Sequence, residues 1–276
     1  MKLGTSVRDD RRQPLFIDAF AGCGGLSLGL LRAGWHGVFA IEKDRFAFAT
    51  LKKNLIDPGS RHQFEWPTWL EQKPWTIEAL VEDHGKQLTA LRGRVDLLAG
   101  GPPCQGFSSA GRRKPTDPRN KLVERYLEFV ELVLPKMVLI ENVRGITYDF
   151  VSDDPAQTRR NFAEELVARL STRYHVYFDT VRCSAFGVPQ QRPRFFIVGM
   201  LKSHAKKLPV NDSPFARLHT SKDAFLSARG LKARVTCKQA ISDLEKARVG
   251  VGICPDSKGY EALLTDEPRT NFQKLT

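Results

Sequence analysis

The sequence predicts an α/β domain built on a mostly parallel sheet. Three observations carry this. Short apolar runs alternate with helical stretches from residue 15 to about residue 171. The runs around Phe16, Phe39, Leu98 and Leu139 read as buried strands. Glycine-rich or acidic residues stand directly after those runs, where open α/β sheets place their ligands.

The elements follow in order. Residues 1–13 form a basic, frayed tail. It carries Lys2, Arg8, Arg11 and Arg12 with no apolar stretch behind them, so it does not read as a secretory signal. Leu15–Phe20 is a strand running into Gly22-Cys23-Gly24-Gly25. A helix follows with Leu26, Leu30 and Leu31 on one side and Gly34 as its stop. Val38–Ile41 is the second strand, ending at Glu42. A helix over 44–54 stops at Asp57-Pro58-Gly59-Ser60. Residues 62–92 hold Trp66, Trp69 and Trp75, then a helical pattern to Leu91. Val95–Ala99 is a strand that opens into Gly100-Gly101-Pro102-Pro103-Cys104-Gln105-Gly106-Phe107-Ser108. The basic loop 111–119, which includes Arg112 and Arg113, leads to a helix with Leu122, Tyr126, Val130 and Val133 on one face. Met137–Ile140 is the next strand, ending at Glu141-Asn142. A helix near 158–171 precedes β-rich segments at 174–182 and 194–199, separated by the turn Phe186–Arg194. Beyond residue 201 the pattern weakens into basic, polar segments, with one helix near 237–247. No internal repeat is present.

Composition bounds the function. Hydrophobic residues make up 41% and charged residues 27% of the 276, which excludes disorder and low complexity. No apolar run approaches the ~18–20 residues of a membrane helix. A formal net charge of +12 favours a polyanionic partner such as nucleic acid. The five cysteines (Cys23, Cys104, Cys183, Cys237, Cys254) are scattered and form no C-x-x-C pair. A structural zinc or a disulfide framework is therefore not expected, and free thiols suit a reducing cytosol.

Four constellations carry chemistry. Phe20-Ala21-Gly22-Cys23-Gly24-Gly25 links a strand to a helix, where glycines let the backbone approach a ligand. Glu42 stands 20 residues after Gly22, a spacing that suits a carboxylate on ribose hydroxyls. Together they imply an adenosine-containing cofactor; separately they are a tight turn and a surface Glu. Ser27 occupies the place of the third glycine of the dinucleotide pattern, which disfavours NAD and leaves S-adenosylmethionine. Cys104 sits on a loop stiffened by two prolines, the kind of perch a nucleophilic thiol needs; an isolated cysteine is more often simply buried. Glu141-Asn142-Val143 ends a strand, and Gln190-Gln191-Arg192-Pro193-Arg194 sets two guanidiniums two residues apart, on one side of an extended chain. Alone, the first is a cap and the second a solvated basic turn.

In order and spacing these four sites resemble the cytosine-C5 DNA methyltransferases of bacterial type, over roughly residues 15–245. Asp18-Ala19-Phe20-Ala21-Gly22-Cys23-Gly24-Gly25 looks like the family's cofactor motif. Gly100-Gly101-Pro102-Pro103-Cys104-Gln105-Gly106-Phe107-Ser108 looks like its nucleophile motif. Asp117-Pro118-Arg119-Asn120-Lys121-Leu122 looks like the next cofactor-contacting motif, with Asn120 where Gly is common. Glu141-Asn142-Val143 and Gln190–Arg194 look like the base-handling motifs. Val235-Thr236 to Asp243-Leu244 resembles the segment before the target-recognition region.

The resemblance implies a doubly wound, mostly parallel sheet of the S-adenosylmethionine-dependent methyltransferase (Rossmann-like) type. It implies a catalytic domain over 14–200, and over 201–276 a connecting segment with the start of a target-recognition domain. Cys104, Glu141, Arg192 and Arg194 are its catalytic candidates. Phe20, Gly22, Cys23, Gly24, Gly25, Leu26, Glu42, Lys43, Pro103 and Leu122 are its cofactor contacts. Gln105, Ser108, Arg112, Arg113 and Gln190 are its contacts to duplex DNA; no metal is expected. The chemistry agrees. Carbon 5 of cytosine is a poor nucleophile until a thiolate adds to C6, an acid relieves charge at N3 and cations serve O2 and nearby phosphates. Such a base must leave the DNA stack. The implied setting is the bacterial cytoplasm.

Two departures qualify the resemblance. The family's adenine-contacting Asp is missing near Gln63–Thr68, leaving Glu65 as a candidate substitute. The late motifs, which complete the cofactor pocket, are not found within 276 residues. The expectation is a fragment, a subunit whose partner polypeptide supplies the rest, or a degenerate copy. An RNA cytosine methyltransferase, a non-catalytic DNA- or cofactor-binding remnant and a hydride-transferring Rossmann enzyme are the alternatives. Gly106 and the Gln105–Ser108 run oppose the first, intact Cys104, Glu141 and Arg194 the second, and Ser27 the third.

Overall fold

A computed structural model gives the fold and describes residues 13–103, 121–149, 161–205, 213–245, 250–253, 261–264 and 267–274. The first half alternates as expected: β1 (Leu15–Ala19), α1 (Gly25–Arg32), β2 (His36–Ile41), α2 (Arg45–Leu55), α3 (Ile77–Ala90), β3 (Leu97–Gly100), α4 (Lys121–Val133) and β4 (Met137–Val143). Then come α5 (Phe162–Ser171), β5 (Tyr174–Arg182), β6 (Pro193–Leu201) and the single-turn α6 (Lys202–Ala205). These six strands form one sheet in the order β2-β1-β3-β4-β6-β5. β1, β2, β3 and β4 are parallel. At the end of β6 the Leu201 amide donates to Lys136, just before β4, and the Lys202 amide donates to Arg173, just before β5. β6 therefore runs against both neighbours, and the sheet is mixed.

Strand alternation feeds two cores, one on each face. Ile17, Phe39, Leu98, Val138 and Ile140 point to the face covered by α3, α4 and α5. Phe16, Ala40, Leu97 and Ala99 point to the face covered by α1 and α2. Helices on both faces make the sheet doubly wound, and explain why its central strands are apolar on both sides. Local caps set the helix starts: Asp44 accepts from the Phe46 and Ala47 amides, Thr76 from Ala79, and Asn161 from Glu164.

The chain divides into two compact units. The first contains residues 1–179 and 195–210, the second 180–194 and 211–276. Against the expected 14–200 domain, 180–194 group with the second unit and 201–210 with the first. That unit contains α7 (Pro214–Ala228), the short α8 (Cys237–Ile241) and an antiparallel pair, β7 (Val251–Ile253) with β8 (Glu261–Leu263). Two expectations are corrected here. The helix near 237–247 is only five residues long before it tightens into a 3-10 turn at Ser242–Leu244. The segment read as irregular contains the 15-residue α7, capped by Ser213 with Pro214 in its first turn.

Candidate functional site

The sheet register aligns four strands near their carboxyl ends. Ala19 pairs with Ile41 and with Gly100, and Gly100 pairs with Ile140. The next residues along these strands are Phe20, Glu42, Gly101 and Glu141. Three of the four sequence constellations therefore emerge side by side at one edge of the sheet.

The first turn is held by backbone geometry. Phe20, Gly22 and Gly24 all have positive φ (61°, 57° and 89°). For Phe20, a residue with a side chain, the left-handed region costs about 1–2 kcal/mol. At Gly24 a Cβ would also stand 2.7 Å from Leu55 Cδ1. Glu42 locks the turn. Its Oε2 accepts from the Gly22 amide at 2.8 Å and its Oε1 from the Asp44 amide at 2.7 Å. The Glu42 carbonyl accepts from the Trp75 amide at 2.8 Å. Phe20 is half-buried, its ring 6.4 Å from that of Tyr126. Cys23, Gly25 and Lys43 are exposed, Gly24 is buried, and Leu26 packs partly into the second core.

Beneath the turn, Ser27 Oγ donates to Asp18 Oδ2 at 2.5 Å, both residues fully buried. Asp18 Oδ1 has no hydrogen-bond partner among the described residues. Burial pushes the Asp18 carboxyl up to about 7, against the downward pull of its bonds from Ser27 and with a smaller upward push from Glu42. Sequence reasoning treated Ser27 only as a missing glycine. It is instead the tether between α1 and β1, legible as a small polar residue on the inner face of α1.

The second turn is built for close approach. A Cβ on Gly100 would lie 2.7 Å from the Tyr126 ring and 3.0 Å from the Ala19 carbonyl. A Cβ on Gly101 would lie 3.2 Å from Glu141 Oε2. Asn142, 3% exposed, donates from Nδ2 to the Pro102 carbonyl at 3.2 Å, and its Oδ1 accepts from the Val143 amide at 2.9 Å. Asn142 thus ties β4 to the Gly100–Pro103 loop, a role sequence reasoning missed. A buried amide beside an acid at a strand end is the signal that could have found it. Pro103 and Leu122 are half-buried. Cys104, Gln105, Ser108, Arg112 and Arg113 lie outside the described residues.

The fourth constellation belongs to the second unit. There Gln190 and Arg192 are exposed, while Arg194 is half-buried and donates to the Pro193 carbonyl at 3.1 Å. Glu65 is corrected as an adenine contact. Its amide donates to the Gly37 carbonyl and its carboxylate lies 2.7 Å from His36 Nε2. Both partners open β2, at the end of the sheet opposite the aligned turns. Among the described residues no cluster of three or more His, Cys, Asp or Glu could hold a metal, and no helix is long and apolar enough to cross a membrane.

The doubly wound sheet, with its glycine turns and glutamates at the carboxyl edge, defines an α/β domain of the methyltransferase type. The model of the C-5 cytosine-specific DNA methylase family matches residues 15–265, and the chain belongs to that family. It is 36% identical over 241 residues to the Type II methyltransferase M.DdeI of Desulfomicrobium norvegicum, covering 86% of this chain and 49% of that one. It is 30% identical over 239 residues to M.AquIA of Picosynechococcus, covering 84% of this chain and 89% of that relative. The structure of a DNA modification methyltransferase encoded within an E. coli prophage matches 69% of this chain and 47% of its own, at 30% identity and a TM-score of 0.51. M.AquIA apart, the chain spans about half the length of these relatives.

Proposed function

We propose that the chain carries the catalytic part of a cytosine-C5 DNA methyltransferase, which methylates carbon 5 of a cytosine flipped out of duplex DNA. The observation that supports it is the aligned row. Phe20, Glu42, Gly101 and Glu141 follow paired residues on four adjacent strands. A cofactor turn and a base-handling carboxylate thus share one edge.

The residues present fit S-adenosylmethionine. The Phe20–Gly25 turn is open at Gly22 and Gly25, where a Cβ would meet nothing within 4 Å, and Glu42, immobilised by Gly22 and Asp44, offers its carboxylate to ribose hydroxyls. Cys23, Gly24, Gly25, Leu26, Lys43, Pro103 and Leu122 complete the proposed cofactor surface. The cofactor supplies an electrophilic methyl group. Cys104 adds as thiolate to C6 of the base, and Glu141 gives a proton to N3 as charge arrives there. Carbon 5, now electron-rich, would accept the methyl, the sulfonium leaving as a neutral thioether. Loss of the C5 proton to a base then restores the C5–C6 double bond and expels the Cys104 thiolate, and N3 returns its proton to Glu141. Arg192 and Arg194 serve O2 and the adjoining phosphates, and Gln105, Ser108, Arg112, Arg113 and Gln190 hold DNA. The natural setting is restriction-modification or DNA marking in a bacterial cytoplasm. A second reading is one subunit of a split enzyme; M.AquIA is a relative of about this chain's length, covered over 89%. Under it a second polypeptide carries the target-recognition region.

The test is covalent capture with duplex containing 5-fluorocytosine, in the presence of S-adenosylmethionine, with and without the protein encoded immediately downstream. Fluorine cannot leave as the C5 proton does, so a Cys104-dependent adduct accumulates and Cys104→Ser removes it. Cofactor binding survives that substitution. Methyl transfer to duplex without a trapped adduct refutes the Cys104 mechanism.

A further inference from the structure

The second unit contains a cavity of about 520 Å³, of whose lining the reading above uses only Gln190. Its wall includes Arg182, Lys222 and Arg234, with Gln190 and Gln191 beside them and an apolar part that includes Pro189 and Val235; among the described residues no carboxylate lines it. Among the described residues, neither Arg182 nor Arg234 has an ion-pair partner. Lys222 has only its neighbour Asp223 at 3.6 Å, whose side chain is 89% exposed. Residues 180–194 contribute three Arg and no acid.

Three cationic residues line one hollow with no acid among its described lining residues, an arrangement that favours an anionic ligand. Guanidinium and side-chain amide groups donate in fixed directions, which suits phosphate oxygens. The volume falls within the roughly 300–1,000 Å³ of ligand pockets, enough for a phosphate with its adjoining sugars. Gln190 and Gln191 directly precede Arg192 and Arg194 in the chain. We infer that this cavity seats a backbone phosphate of duplex DNA, with Arg182, Lys222 and Arg234 as its cationic wall. The inference rests on the DNA-methyltransferase reading and adds an anchor that carries no sequence information, since phosphate contacts position and do not specify.

The test measures duplex binding by the full chain, by fluorescence anisotropy across a salt series. Arg182→Gln and Arg234→Gln should each weaken binding roughly threefold to tenfold and lower the slope of log K against log salt by about 0.9. The loss should be equal on duplexes of unrelated sequence. Ala233→Phe, which fills the cavity without touching charge, should weaken binding as well. Lys53→Gln, an exposed cation on α2, serves as the control and should leave the slope unchanged. Thermal melting of each variant reports folding separately. Wild-type binding with unaltered affinity and slope in the two Arg variants and in Ala233→Phe overturns the cavity and leaves the methyltransferase reading intact. A wild-type chain that binds no duplex at any salt removes that reading and the cavity with it.

Discussion

Asp18 gives the stability of this chain an unusual pH dependence. Its carboxyl is fully buried, with one oxygen bonded by Ser27 and the other without a partner among the described residues. Burial raises it from 3.8 to about 7 in the folded chain. Between those values the folded chain keeps a proton that the unfolded chain has released. Stability contributed by Asp18 therefore falls as pH rises from about 4 to about 7, then levels off. A shift of that size corresponds to about 4 kcal/mol across the window. Asp18→Asn keeps the shape and an acceptor for Ser27 but cannot ionise. The expected result is a wild-type-minus-variant stability difference that moves by about 4 kcal/mol in the variant's favour from pH 4 to pH 8. Urea unfolding followed by circular dichroism at both pH values measures it. Other carboxylates titrate in both proteins and cancel. Two stability curves that stay parallel from pH 4 to pH 8 would refute the argument that the site holds Asp18 neutral.

Two further outcomes test the second turn. Glu141→Gln keeps the shape but has no proton to give, so single-turnover methylation should fall by about 10²–10⁴-fold; a variant above a tenth of wild-type rate makes Glu141 a structural cap. Asn142→Ala leaves the buried Pro102 carbonyl without its donor and should destabilise by about 1–3 kcal/mol in urea. Its methylation rate should drop further than stability explains, because the loop leading to Cys104 loses its tie to β4. A rate that merely tracks the folded fraction removes Asn142 as a positioning residue.

The parallel core was legible in the sequence because its signals are local. Buried strands announce themselves as apolar runs, and Gly22, Glu42, Gly100 and Glu141 mark where those runs end. The register that sets these ends in line is not local, and no periodicity encodes it. Asn142 and Ser27 escaped for a related reason. Each matters through a partner 40 or 9 residues away, which only the folded chain brings near. α7 escaped because it buries only Phe215 and Leu226 of its 15 residues, too few to raise an amphipathic pattern. Its Ser213-Pro214 start was the available signal. Glu65 misled by its charge: a carboxylate in the right stretch of sequence folds to the wrong end of β2, beside His36.

Glu42 also bears on the timing of recognition. Before any ligand arrives, its carboxylate is held at both oxygens and its backbone is pinned by Trp75. A free glutamate would have to be immobilised as it bound, at about 0.5–1.5 kcal/mol for a rotamer-rich side chain. Here folding has already spent that entropy. A sugar hydroxyl meeting Glu42 finds an acceptor that neither searches nor reorganises. Under the proposed role, the encounter is closer to a key entering a cut lock than to a hand closing.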